Sequence, residues 1–551
     1  MEPGVQSSKA FHRARVFNIP PGVDFLKVLV EALLEGRLVE DWHYQSPFDL
    51  ADVTIFVPTR RAARSLADEF RNALGGSLIL PDIRPLGDAN DDGAFLSDEL
   101  VVRPLAFDPV LPAMERRLLL AQLILRWRNA MAVKAGDVLG NENVALPTGP
   151  VDAAGLAVDL ASLMDQMETE ECSWDGLSRL VPDQYAQWWG TTYDFLSIAT
   201  KAWPAVLEER GAMDPAAHRR AVLDHQTSVC ENLVDSKGPV IVAGSTGSIP
   251  ATARLLRAVC QLPKGAVVLP GVDRFLDASA WHKIGRLGAE HLEPGHPQYG
   301  LKTLLTDDAD DQNISEKTHP VLPATRRDAV VATLAEPDEE LALRERLLSD
   351  MMRPASTTES WANTWQNRGD DLTKAIKNVT LVEAPDVHVE ALAVATALRE
   401  VLVEPGKTAA LITPDRELAR RVRMALRRFN IDADDSAGQS LDLFPQATLL
   451  RLLLHWCFDG QDDTRLVLTA LLKHPLCGLG LPLVEARRRA RVLEIVALRG
   501  NTSMPQAGEL TRFVADAKDR HANAQFLHAS QRNVEEADWL ACLDLANRLA
   551  E

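Results

Sequence analysis

Six cysteines, at positions 172, 230, 260, 457, 477 and 542 of 551 residues, include no Cys-x-x-Cys pair. That spacing argues against zinc, iron–sulfur and dithiol redox motifs within the chain. No run approaches the roughly 18 uninterrupted apolar residues of a membrane helix. Met1 to Arg15 lacks the apolar core of a secretory signal, so the expected location is the cytoplasm, with no membrane partner. A basic excess is missing as well: 59 Lys and Arg stand against 78 Asp and Glu, a formal net charge of −19. Such a balance does not suit a free-standing nucleic-acid binder, but a local basic groove on an acidic surface still carries phosphate contacts.

The chemistry of a nucleotide loop is also absent where its shape occurs. Val16 to Ile19 reads as a strand, Pro20-Pro21-Gly22 as a turn, and Phe25, Leu26, Leu29, Val30, Leu33 and Leu34 as a helical stripe. A phosphate-binding loop needs several glycines and then Lys with Ser or Thr. Here a single glycine, Gly22, follows two prolines that lack N–H groups, and Asp24 comes soon after. Gly406-Lys407-Thr408 has the right letters but precedes a strand and has no upstream glycine at the required spacing, so it reads as a charged turn. Gly244-Ser245-Thr246-Gly247-Ser248 follows a clear strand. Its N–H groups suit either a phosphate cradle or a tight structural turn, and with no Lys and no acidic pair for magnesium the turn is the favoured reading.

What is present is a large globular chain. Apolar residues make up 46% and charged residues 25%, and the length calls for three or four domains. Val53–Val57 and Pro239–Gly244 read as strands, and Leu78–Asp88 and Gly265–Asp273 each as a strand with its exit, several followed at once by a helical pattern. Residues 112 to 220 read as nearly all helix. Tyr185, Trp188, Trp189 and Tyr193 cluster there, as core packing or as a base-stacking platform. The Asp-rich stretch 306–328 reads as a surface linker. After Gln446 the chain is helical, and Arg487–Arg491 reads as a solvated face.

Val379 to Leu441 repeats the strand-and-helix theme. Val379–Val382 and Thr408–Ile412 are the expected strands, and an amphipathic helix spans Asp386 to Arg399. Thr413-Pro414-Asp415 is expected to open the next helix, with Thr413 as cap. On that helix Leu418, Val422, Ala425 and Phe429 share one face, and Arg416, Arg420, Arg423 and Arg427 the opposite one. Pro58-Thr59-Arg60-Arg61-Ala62-Ala63-Arg64 and Pro414-Asp415-Arg416-Glu417-Leu418-Ala419-Arg420 share Pro-x-Arg-x-x-Ala-Arg, each straight after an expected strand. Open α/β sheets place ligand sites at that location. The pattern therefore predicts two α/β lobes presenting arginines from equivalent edges.

Stretches from Phe17 to Leu476 together resemble AddB, the non-motor subunit of bacterial AddAB helicase–nucleases, in its alphaproteobacterial form. They include Phe17–Leu29, Val53–Phe70, Leu80–Asp88, Val240–Thr252, Val267–Asp273, His296–Leu305, Val382–Glu400, Ala410–Gly438 and Leu471–Leu476. The resemblance implies a decayed superfamily 1 helicase, with two RecA-like parallel-sheet lobes and helical insertions. The first lobe is expected over 1–105 and 236–305, a helical insertion over 106–235, a linker with connecting helices over 306–375, the second lobe over 376–447 and a further helical insertion over 448–551. It implies a DNA-guiding role in double-strand break repair by recombination, beside an AddA-like motor subunit, on single-stranded and duplex-end DNA.

Thr59-Arg60-Arg61-Ala62-Ala63 resembles the Thr-x-x-Ala-Ala element by which active members touch single-stranded DNA, and Arg64, Arg416 and Arg420 join it as candidate phosphate contacts. Gly244-Ser245-Thr246 stands where active members carry a magnesium-binding Asp-Glu pair, and the Gly22 loop lacks Gly-Lys-Thr. The family complex is an ATP-dependent helicase and exonuclease, but with both halves of the nucleotide site degenerate the motor label does not carry over. ATP is expected on the partner. An iron–sulfur cluster and nuclease magnesium belong to a C-terminal nuclease domain for which these residues show no matching motif, so no cofactor and no catalytic residue are expected in this chain.

Overall fold

Thr54–Val57, Val240–Ala243 and most of Gly265–Pro270 are buried at every position, which marks strands covered on both faces, as in a parallel sheet. The computed structural model has that sheet. Strands β1 (Val16–Ile19), β2 (Thr54–Val57), β3 (Asp82–Pro85), β4 (Val240–Ala243), β5 (Gly265–Pro270) and β6 (Ala332–Thr333) are all parallel and lie in the order β3-β2-β4-β5-β1-β6. The structure describes residues 15–75, 79–86, 107–138, 149–174, 186–233, 236–285, 295–305, 331–365, 369–436, 438, 441, 444–458, 464–499 and 509–550. The chain divides into two compact units, Met1–Thr380 and Leu381–Glu551.

The first unit holds the sheet and helices α1 (Phe25–Leu34), α2 (Arg60–Leu74), α3 (Ala113–Val138), α4 (Pro150–Thr169), α5 (Ala186–Ser197), α6 (Trp203–Arg210), α7 (Pro215–Asn232), α8 (Pro250–Gln261), α9 (Ala278–Lys283), α10 (Tyr299–Leu304) and α11 (Glu339–Met351). Side chains alternate across the strands. Ile55, Val57, Ile241, Ala243 and Val268 meet Leu29 and Leu33 of α1 and Leu66 and Phe70 of α2. Phe56, Val240, Val242, Val267 and Leu269 meet Leu223 of α7 and Leu255, Leu256 and Val259 of α8 on the other face. Each fully buried Val, Leu, Ile or Phe side chain among them contributes about 1.5–3 kcal/mol. Gly265 lets β5 start hard against α8: a Cβ there would lie 1.8 Å from the Val259 carbonyl oxygen.

Two local details come from the structure alone. Within the stretch Leu78–Asp88, expected as a third short strand and its exit, the strand is Asp82–Pro85, because the register pairs Thr54 with Asp82 and Val57 with Pro85. Leu80 packs on the core beside it, and Leu78 lies outside the described residues. The two-residue β6 was not anticipated; a strand that short has no periodicity to read. The expected linker at 306–328 also falls outside the described residues.

The helical stretch after Pro112 is a bundle of α3, α4, α5 and α6 around Leu120, Ile124, Leu160, Met164 and Trp203. Trp127 meets Phe195 edge-on, with centroids 5.2 Å apart. Tyr193 is exposed, so it is not part of that core, and Tyr185 lies outside the described residues. Buried Arg116 is ion-paired to Asp165 at 2.9 Å and to Asp214 at 2.7 Å, and the Trp203 indole N–H donates to Asp214. Burial raises the Asp214 carboxyl above the ordinary range even beside Arg116.

In the second unit α12 (Val387–Leu402) and α13 (Arg416–Arg427) pack through Ala391, Ala395, Val422 and Leu426. Helices α14 (Pro445–Phe458), α15 (Thr464–Lys473), α16 (Leu483–Leu493), α17 (Leu510–Ala522) and α18 (Glu536–Ala550) form a separate core around Leu468, Leu493, Val514 and Leu545. Among the described residues this unit has no paired strand. Val379–Val382 and Thr408–Ile412, expected as strands, run without ladder partners, and Leu381 and Ile412 are 85% and 94% exposed. A β-prone run becomes a strand only beside a neighbour in register, and here no described segment supplies one.

Candidate nucleic-acid interface

The sheet order opens a crevice at the C-terminal ends of β2 and β4. β2 leads through α2 to β3 on one side; its neighbour β4 leads through α8 to β5 on the other. Helices α2 and α8 cover opposite faces, so the two exits part there. Adjacent strands whose connections diverge in this way form the crevice that open α/β sheets use for ligands. At its β2 side Pro58 leads to Thr59, which is extended at φ −142° and caps α2: its hydroxyl accepts from the Ala62 N–H at 3.1 Å. Arg60 is therefore the first helical residue. Arg60 and Arg61 in the first turn and Arg64 at the start of the second are exposed, and the positive end of the helix dipole adds to their field. The Arg64 side chain has no hydrogen-bond or ion-pair partner among the described residues.

On the β4 side Gly244 turns at φ +79°, close to Pro58, and its N–H is spent on the Val268 carbonyl at 3.0 Å. The loop beyond it is filled from within. Gly247 lies against Leu304 of α10, its N–H meets the Ser245 hydroxyl at 3.3 Å, and Gly300 abuts Ser248. Helix α8 then starts at Pro250 without a side-chain cap. A loop packed from inside by α10 is a structural turn in its present form.

The turn at Gly22, beyond β1, is occupied by the protein itself. Asp24 caps α1 by accepting from the Lys27 N–H at 3.2 Å, so a carboxylate already holds the place that a phosphate takes at a helix N-terminus. Gly22, at φ +95°, faces Leu341 of α11. Beyond the neighbouring β5, Arg274 makes bidentate contacts to Glu336 at 2.7 and 3.0 Å and to Glu345 at 2.8 and 3.2 Å. The hydrogen bonds that Arg274 donates to Glu345, first among several causes, hold its pKa above its already high value. Asp273 accepts from the Phe275 and Leu276 N–H groups and from the Ser349 hydroxyl, and the Asn18 amide oxygen accepts from the Val272 N–H. This network escaped the sequence reading because Glu336 and Glu345 lie more than 60 residues from Arg274. Asp273 just past a buried strand was its one local signal.

In the second unit the helix start matches the first more closely than expected. Asp415, not Thr413, is the cap: it accepts from the Glu417 and Leu418 N–H groups at 2.8 and 3.2 Å, and the Thr413 hydroxyl accepts from the Asp415 N–H. Thr59 and Asp415 thus hold equivalent places after Pro58 and Pro414, and Arg60 and Arg416 are both first helical residues. Arg416 is bidentate to Asp435 at 2.8 and 3.1 Å, and Arg420 to Glu417 at 3.0 and 3.1 Å. These partners raise the pKa of both arginines and are exposed pairs that an incoming phosphate can displace. Lys407 pairs with Glu404 within its turn, and of the basic run Arg489 reaches inward to Glu485 and Asp544.

No three His, Cys, Asp or Glu side chains among the described residues come together as a metal site. Burial pushes the Cys230 and Cys542 thiols up to about 12 and Cys260 up to about 11, so these behave as core residues and not as nucleophiles. No described helix is long and apolar enough to cross a membrane. No protein-family model and no curated protein matches the chain.

Proposed function

We propose that this chain is the DNA-guiding, non-motor subunit of an AddAB-like helicase–nuclease that processes double-strand breaks for recombinational repair, beside a motor subunit that carries the ATP chemistry. The observation that carries the reading is the β2/β4 crevice, with Thr59, Arg60, Arg61 and Arg64 on its rim and the Gly244 turn opposite. Single-stranded DNA lies there with its phosphates toward the start of α2, where guanidinium groups and the helix dipole act together. Arg416 and Arg420 serve the same purpose on a second lobe, carried by the unit Leu381–Glu551. The repeated cap-then-arginine start at Thr59 and Asp415 supports two such lobes. A nucleotide-hydrolysing role for the Gly244 loop is disfavoured by the side chains that fill it and by its lack of a lysine.

The test is fluorescence anisotropy of a labelled single-stranded oligonucleotide over a salt series, with the motor subunit present. Arg60→Ala with Arg64→Ala is expected to weaken binding and to flatten the log–log salt slope by about 1.4, at about 0.7 for each lost contact. A variant that melts like the parent and keeps both affinity and slope would refute this path.

A further inference from the structure

Between α12 and α13 runs an open groove of about 520 Å³. Its floor is aliphatic: Val389, Leu392 and Met424 are 42%, 41% and 57% exposed, well above what core positions of a helix pair show. Its rim is cationic, with Arg420, Arg421 and Arg428 beside His388. One carboxylate, Glu417, serves both Arg420 at 3.0 Å and Arg421 at 2.9 Å. Arg421 also lies 3.4 Å from the His388 Nδ1. The Arg428 side chain has no hydrogen-bond or ion-pair partner among the described residues. A positive rim over an apolar floor therefore stands on a chain of net charge −19.

We propose that this groove docks an acidic amphipathic helix of a partner protein. Leucine-like side chains at i, i+3/i+4 and i+7 fill the floor, and flanking Asp or Glu residues meet Arg421 and Arg428. Met424 supplies the adaptable contact that such grooves favour. A nucleic-acid strand suits the site less well, because the floor is aliphatic and offers no Phe, Tyr or Trp ring on which a base stacks. Helix α12 has 16 residues, roughly 24 Å, so a partner helix that runs its full length has about four and a half turns.

The experiment is a selection, on the full chain, from a displayed library of 16-residue helix-forming peptides with apolar positions fixed and flanking positions randomised. Acidic flanks are expected to be enriched. Selected peptides should lose at least tenfold in affinity with Leu392→Glu or Met424→Glu, and separately with Arg421→Glu plus Arg428→Glu. All four positions are at the surface, and thermal melts identify the variants that fold. Three results would overturn the proposal. One is a selection that yields no binder, or binders indifferent to these changes. Another is an oligonucleotide that depends on Arg421 and Arg428 and displaces the peptides. The third is a self-association in sedimentation that Leu392→Glu abolishes, which would make a second copy of the chain the occupant.

Discussion

Arg416 and Asp435 face each other through two parallel hydrogen bonds at 3.1 and 2.8 Å, nineteen residues apart in sequence. The pair ties the first helical residue of α13 to the segment that follows it. It also keeps the guanidinium neutralised at the position equivalent to Arg60.

Releasing that guanidinium should strengthen DNA binding. Asp435→Asn keeps the shape but removes the charge, and is expected to raise affinity for a single-stranded oligonucleotide about two- to fivefold at low salt and to steepen the salt slope by about 0.7. Stability should change little, because Arg416 is exposed and water screens the pair. Anisotropy and thermal melts on the same preparations check both. If Asp435→Asn leaves the affinity and slope unchanged, Arg416 does not lie on the DNA path.

The elements that were legible beforehand are those whose pattern is local. Val240–Ala243 and Gly265–Pro270 show continuous apolar runs, and α13 carries its apolar face at Leu418, Val422 and Ala425. Both kinds of signal need only neighbours in sequence. The bounds of the third strand and the unpaired segments at Val379 and Thr408 show the limit, because pairing depends on a partner elsewhere in the chain. The arginines of the candidate site could be named from the repeated heptapeptide. Their partners could not: Asp435, the Leu341 cover on Gly22 and the Arg274 clamp arise from tertiary contacts between distant residues. The groove between α12 and α13 was invisible for the same reason, since Leu392 and Met424 each look like an ordinary amphipathic position.

Nucleotide chemistry gives the second prediction. With Asp24 at the start of α1, Leu341 on Gly22 and Leu304 on Gly247, neither loop has room or charge for a triphosphate. The chain alone is expected to show no magnesium-dependent ATP turnover and no shift in melting temperature with ATP up to millimolar concentration. Lys407, paired with Glu404 in an exposed turn, is expected to be irrelevant. A turnover that Lys407→Ala abolishes would contradict the reading of Gly406-Lys407-Thr408 as a charged turn.

The last prediction concerns the helical core of the second unit. Glu494 receives Lys473 at 2.5 Å and Arg499 at 3.0 Å, and joins the end of α15 to the turn beyond α16. The hydrogen bond from Lys473, chief among the causes, holds its carboxyl below the ordinary value of 4.5. A carboxyl with a depressed folded pKa binds fewer protons in the folded state than in the unfolded one. Its contribution is therefore complete above the unfolded value and is lost as pH falls through the folded value. Glu494→Gln should cost about 0.5–1 kcal/mol near neutral pH, because both cations stay in contact with water although the carboxylate is half-buried. The difference between parent and variant should narrow as pH drops below about 4.5 and should shrink in high salt. Urea melts of both proteins at several pH values measure it. A gap that stays constant down to pH 3 would mean that Glu494 acts by packing alone and that its two cations contribute nothing to the fold.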